Sequence, residues 1–301
     1  MKRFVVLVAV VGLLAGAGCG DDGDEAAKGG TANESVTTTT AAPAPSAIKV
    51  TARDYAFDVP ATVSAGLVSM TLENVGKEPH FAALAQPKEG VPIADVQAAV
   101  TALASGKPPA GGPPPFVEYI AMGTVDPGGQ SHVSGNLPTG KYIMFCLLPS
   151  PDGVTHGAKG MIKEVEATGG SSGELPKADT TFITHDFAIG AAGGGTPAFK
   201  AGANRVALEN KGKQIHEIDL FELAEGKKVA DVKAWAAKLA GPPPGKFLGG
   251  PAIRDGLSVT TTFEMKPGAR YALVCIVPDS LGDGAPHITK GMHTEEFQVQ
   301  P

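Results

Sequence analysis

Eight side chains could do chemistry in this chain, and they fall into two sets of four. The first set is His80, Cys146, His156 and Met161; the second is His216, Cys275, His287 and Met292. In each set a turn leads to a His, a lone Cys follows in an apolar stretch, and His-x4-Met comes after it. Thiolate and thioether sulfur favour Cu(I), imidazole accepts Cu(II), and the mixture is the ligand set of a mononuclear blue-copper centre. Each residue also has an ordinary role. A His after a turn can sit in a core or on a rim, a free Cys often packs as a small hydrophobe, and a Met can be a core sulfur. Recurrence at matching places sets these eight apart. A disulfide between Cys146 and Cys275 is the alternative use of the thiols, and it needs the two to face each other at close range.

The two sets belong to an internal repeat. Leu72-Glu73-Asn74-Val75-Gly76-Lys77-Glu78-Pro79-His80 matches Leu208-Glu209-Asn210-Lys211-Gly212-Lys213-Gln214-Ile215-His216. Asp54-Tyr55-Ala56-Phe57 matches Asp186-Phe187-Ala188-Ile189, Tyr142 to Cys146 matches Tyr271 to Cys275, and Lys159-Gly160-Met161 matches Lys290-Gly291-Met292. Two copies imply tandem domains; a solenoid needs more. The Gly/Ser-rich residues 168–177 mark the boundary, giving domains at 47–167 and 178–301.

The elements that must position these residues are mostly strands. Ile48, Val50 and Ala52 alternate with Lys49 and Thr51, and Val68, Met70 and Leu72 alternate with Ser69 and Thr71, as in a half-buried strand. Residues 142–148 and 271–277 are near-continuous apolar runs, as in strands covered on both faces. One helix per repeat is expected. Ile93, Val96, Val100 and Leu103 recur at helical spacing in the first, and Val229, Val232, Trp235 and Leu239 in the second, with Gly106 and Gly241 as stops. The Trp235 face reads as core. Each domain is then a Greek-key β-sandwich with a short helical insertion.

Asn74-Val75-Gly76-Lys77-Glu78-Pro79-His80 resembles the Asn-x-Gly-x-x-Pro-His turn of the cupredoxins, the plastocyanin and azurin family. Cys146, Pro149, His156 and Gly160-Met161 resemble the family's C-terminal ligand loop, and Asp54 to Phe57 with Pro60 and Gly66 its first hairpin. The resemblance covers both repeats. It implies imidazole ligation by His80 and His156, thiolate ligation by Cys146 and a long axial bond from Met161. His216, His287, Cys275 and Met292 take the same roles in the second repeat. Two departures stand out. The family's Cys-to-His loop is short, whereas nine residues separate Cys146 from His156 and eleven separate Cys275 from His287. Longer loops add little to closure cost but preorganise the ligands less. Ile215 also stands where the first repeat has Pro79.

The N-terminus reads as an export signal. Lys2 and Arg3 precede an apolar run over residues 4–14, then small residues lead to Cys19. The run is too short to span a bilayer. Residues 1–19 resemble a signal peptide with a bacterial lipobox, with Gly16 where Leu is usual, and lipidated Cys19 would anchor the protein to the membrane. Cleavage without lipidation is the alternative. Residues 20–46 are acidic, then Thr-, Ala- and Pro-rich, a composition that suits a disordered tether. The net charge of −6 argues against a nucleic-acid partner. His132, His185 and His293 have no counterpart in the other repeat and read as surface or structural. His-x-His, His-Cys-His and His-Glu-x-x-His are absent, so the chain is expected not to be an enzyme. The expected function is electron transfer or copper handling at the cell surface, with a redox protein as partner. A metal-free binding module on the same fold is the alternative.

Overall fold

The computed structural model describes residues 44–107, 114–195 and 198–300. The leader, Cys19 and all but the last three residues of the expected tether lie outside them. The described chain is mainly β, as expected. Strands Ser46–Arg53, Gly66–Asn74 and Gln130–Leu137 form one sheet of the first repeat. Phe116–Val125, His80–Pro87, Gly140–Phe145 and Ile162–Thr168 form the facing sheet. Ser46–Arg53 runs parallel to Gly66–Asn74, which pairs antiparallel with Gln130–Leu137. The alternation of Ile48, Val50 and Ala52 places all three in the core, while Lys49 and Arg53 stay exposed. The second repeat follows the same plan, with Thr180–His185, Gly202–Asn210 and Ser258–Met265 in one sheet and Asp219–Leu223 paired to Arg270–Val274 in the other.

The repeats are not separate beads. Ser258–Met265 pairs with Gln130–Leu137 at Thr260 and Ser134, and Pro251–Ile253 pairs antiparallel with Phe116–Val125 from Met122 to Ile120. Both layers therefore continue from one repeat into the next, within one compact unit over residues 42–301. Each repeat covers strand edges that the other would expose. The Gly/Ser-rich segment 168–177 lies along the first repeat. Ser171 O accepts from Leu67 N at 2.8 Å, and Asn136 exchanges two hydrogen bonds with Gly173, at 2.9 and 3.0 Å.

Both helices form, at Ile93–Ala104 and Val229–Ala236. Val96 and Val100 bury the first helix against the sheet carrying Phe145. The second is shorter than its periodicity suggests. It stops at Ala236, so Leu239 has positive φ and is half exposed. The apolar runs are also shorter as strands. Gly140–Phe145 and Arg270–Val274 end one residue before each Cys. No helix among the described residues is long and apolar enough to cross a membrane.

Candidate metal centres

Asn74 builds the turn that delivers the first His. Its side-chain amide donates to Glu78 O at 2.8 Å and Val125 O at 2.9 Å, and its oxygen accepts from Gly76 N at 2.9 Å. Asn210 repeats the pattern with Gln214 O, Ile253 O and Gly212 N. Both Asn side chains are fully buried, so these bonds satisfy groups that would otherwise be costly. Gly76 is required at this turn. A Cβ there would stand 2.4 Å from Asp54 Oδ1 and 2.7 Å from His80 Nε2. Gly212 stands in the same relation to His216 and Asp186.

The long Cys-to-His loops fold back on themselves. In the first, Pro149 pairs with Thr155, and His156 N donates to Leu148 O at 2.9 Å. In the second, Pro278 pairs with Pro286, and His287 N donates to Val277 O at 2.9 Å. These crosslinks make each loop behave as a short one. Cys146 N then donates to Met161 O at 3.2 Å and Met161 N to His156 O at 2.9 Å. Cys275, Met292 and His287 are tied in the same order, at 3.1 Å in both bonds. The backbone thus holds Cys, His and Met of each repeat together, and both Met side chains are fully buried.

The donor atoms converge twice. His80 Nδ1 lies 2.9 Å from His156 Nδ1, and Cys146 Sγ lies 3.5 Å from His156 Nδ1. In the second repeat His216 Nδ1 lies 3.2 Å from His287 Nδ1, and Cys275 Sγ 3.4 Å from it. Within each group the three donor atoms lie within 4.8 Å of one another. The thiols are free, which removes the disulfide alternative.

Carboxylates fix the tautomers in the first group. Asp54 Oδ1 lies 2.9 Å from His80 Nε2, and Glu78 Oε2 lies 2.9 Å from His156 Nε2. A carboxylate accepts, so each Nε2 carries a proton and Nδ1 is the nitrogen left facing the sulfur. Two such nitrogens at hydrogen-bond distance beside a sulfur call for a cation between them. A soft monovalent or borderline divalent ion that takes two nitrogen donors and one sulfur donor fits that demand; copper and zinc both accept imidazole with thiolate.

Electrostatics favour neutral rings that are ready to ligate. Burial lowers the pKa of His80, against the pull of Asp54 and with the push of His156. Burial lowers His216 too, and lowers His287 to about 4, with the charge of His216 adding to the effect. Burial pushes the Cys146 thiol up to about 12, against the backbone N–H groups of Phe81 and Leu148. Cys275 is also pushed up by burial, with Glu217 adding to it. Both thiols therefore stay protonated at neutral pH until a metal displaces the proton.

The two groups differ in what surrounds the second His. Lys159 donates to Tyr55 Oη at 3.2 Å, and Tyr55 donates to Glu78 Oε1 at 2.7 Å, so a polar strap ends on His156. In the second repeat Phe187 replaces Tyr55 and packs edge-on to His287 at 5.4 Å between ring centroids. Gln214 replaces Glu78 but turns to Asp279 and Ser280, at 3.1 and 2.9 Å. The buried Nε2 of His287 is left without a partner.

The His and Cys residues singled out in the sequence sit in these two places, and Met161 and Met292 are tied to them through the backbone. Asp54, Asp186 and Glu78 were not assigned a role there. Asp54 and Asp186 stood at matching positions of the repeat, and that was the available signal. His132 Nδ1 lies 3.0 Å from Thr71 Oγ1, and His293 Nδ1 lies 3.0 Å from Thr294 O; His185 is exposed. None of the three reaches either group. Trp235 is only half-buried and lines a cavity, so its face is not simply core.

No family model matches the chain, and no curated protein matches it. Among solved structures, dithionite-reduced auracyanin from Roseiflexus castenholzii is 21% identical, with 42% of this chain and all of that one covered and a TM-score of 0.28. The blue copper oxidase of Nitrosomonas europaea is 14% identical, covering 85% of this chain and 86% of that one at TM-score 0.25. The copper nitrite reductase of Nitrosomonas europaea is 15% identical, covering 85% and 94% at TM-score 0.24. Identities and scores this low assign no chemistry. They do correct one expectation. With an oxidase and a reductase among the matched structures, missing His-x-His and His-Cys-His patterns no longer support the reading that the chain is not an enzyme.

Proposed function

We propose that the protein binds copper at two mononuclear sites and carries electrons. His80, Cys146, His156 and Met161 hold one ion, and His216, Cys275, His287 and Met292 the other. The observation that carries this reading is the convergence of two Nδ1 atoms and one Sγ in each repeat. Bound copper would supply a one-electron couple. The chain's own contribution is rigidity. Strand ends and crosslinked loops hold the donors in place, so little has to move between oxidation states. Asp54, Glu78 and Asp186 aim the rings and keep their protons on Nε2.

Burial favours a resident ion over a transported one. Each His and Cys of both groups is at most 1% exposed, so exchanging a cargo ion would require opening a loop. Electron transfer is therefore preferred to copper handling. The partner on this reading is another redox protein. The work is done outside the cytoplasm, with lipidated Cys19 and the residues after it tying the folded part to the membrane.

The test is copper addition to the purified chain, followed by absorption spectroscopy. An intense thiolate-to-copper band is expected, with two ions bound per chain. Cys146→Ser and Cys275→Ser should each remove about half of it. A colourless protein whose metal content survives both substitutions would leave only the metal-free binding module.

A further inference from the structure

A cavity of about 410 Å³ lies where the two repeats meet. Its walls are apolar and aromatic, with Phe81 from the first repeat and Trp235, Phe247 and Ile276 from the second. Trp235 is held by a 3.0 Å bond from its Nε1 to Gly241 O and packs against Phe247 at 5.9 Å between ring centroids. Among the described residues no Lys, Arg or His lines the space, and its ionisable groups are Glu118 and Glu217. Both acids are special to this seam. Glu217 stands where the first repeat has Phe81, and Glu118 lies on the strand that joins the two repeats.

Glu217 is partly satisfied, since its Oε1 accepts from Ile276 N at 2.6 Å. Glu118 is half-buried and faces the cavity, and no group among the described residues bonds to its carboxyl. An apolar pocket that holds two acids and no cation pushes both carboxyls toward their protonated form, and a bound cation would favour the charged form again. A divalent metal is a poor match, because neither acid joins a ligand cluster among the described residues. An organic ammonium fits better. Its N–H groups donate to the carboxylates, its charge is attracted to aromatic faces, and its body fills apolar space.

We propose that this cavity binds a small apolar organic cation, a protonated amine with an aromatic or short alkyl body. Glu118 receives the ammonium, and Phe81, Trp235 and Phe247 enclose the rest. The site does not rest on the copper reading, and it can be tested on the metal-free chain.

Trp235 is the only tryptophan in the sequence, so its emission reports on the cavity directly. The full chain is titrated with phenethylamine, and with 2-phenylethanol and phenylacetate as neutral and anionic molecules with the same body. A saturable change is expected with the amine, at about tenfold lower concentration than with the alcohol. Phenylacetate should give none. Glu118→Gln should erase the preference for the amine while circular dichroism stays unchanged. Ala121→Leu, which narrows the cavity, should weaken amine and alcohol alike. Equal binding of amine and alcohol by the parent chain, an unaltered preference in Glu118→Gln, or no saturable signal would each overturn the proposal.

Discussion

Replacing Glu78 by Gln tests whether the carboxylate behind His156 matters to the metal. Glu78 accepts two bonds, from His156 Nε2 at 2.9 Å and from Tyr55 Oη at 2.7 Å. A glutamine has one acceptor oxygen and cannot serve both donors in the same way. The variant therefore loses one hydrogen bond and the charge that strengthened the other. Partners that orient a ligating imidazole typically contribute about 10- to 100-fold in metal affinity, or about 1.4–2.7 kcal/mol. The retained bond places the expectation near the lower end, at about tenfold weaker copper at the first site. The second site should not change, because Gln214 already turns away there and His287 Nε2 has no partner. Competition against a chelator, followed at the thiolate-to-copper band, measures the loss. Cys275→Ser and Cys146→Ser backgrounds separate the two sites. The same variant should raise the potential of the first site, since the lost negative charge had favoured Cu(II). First-site affinity within twofold of the parent, in a variant with unchanged thermal midpoint, would refute this account of the ring's support.

Three further outcomes are expected. Gly76→Ala puts a methyl 2.4 Å from Asp54 Oδ1 and 2.7 Å from His80 Nε2; overpacking of this kind costs about 1–3 kcal/mol, and denaturant melts should show it together with lost copper at the first site only. Copper binding at neutral pH should release about one proton per site, because burial keeps both thiols protonated; calorimetry in buffers of different ionisation enthalpy counts them. Burial raises Glu118 to about 7 from its ordinary 4.5, so the folded chain keeps a proton that the unfolded chain gives up. Stability should then fall as pH rises from about 4.5 to about 7 and level off above. Glu118→Gln should reduce that fall in thermal midpoints, while Glu217 and Asp219, raised in the same direction by burial, keep part of it.

Periodicity and repetition pointed to the strands, both helices and the His and Cys residues that converge in each repeat. Alternation works for Ile48, Val50 and Ala52 because one face of their strand is solvated. It failed at Leu239, where local chain reversal with positive φ overrode helical spacing. Loop length misled in another way. Nine and eleven residues suggested loosely held donors, yet the pairings of Pro149 with Thr155 and Pro278 with Pro286 shorten both loops in space. Such crosslinks involve backbone groups, which carry no side-chain signature. The supporting acids were hidden for a related reason. Asp54 is 26 residues from His80, and only the folded hairpin brings them together.

The continuity of both layers across the seam has a consequence for how such a chain can be divided. Cutting within residues 168–177 would not free two independent halves. Each would carry a raw border: Phe116–Val125 and Gln130–Leu137 on one piece, Pro251–Ile253 and Ser258–Met265 on the other. Fragments of this kind would reassemble with each other, or clump through those open rims. The spacing between the two donor clusters is then a property of the fold itself, as invariant as the distance between two rivets in a single plate.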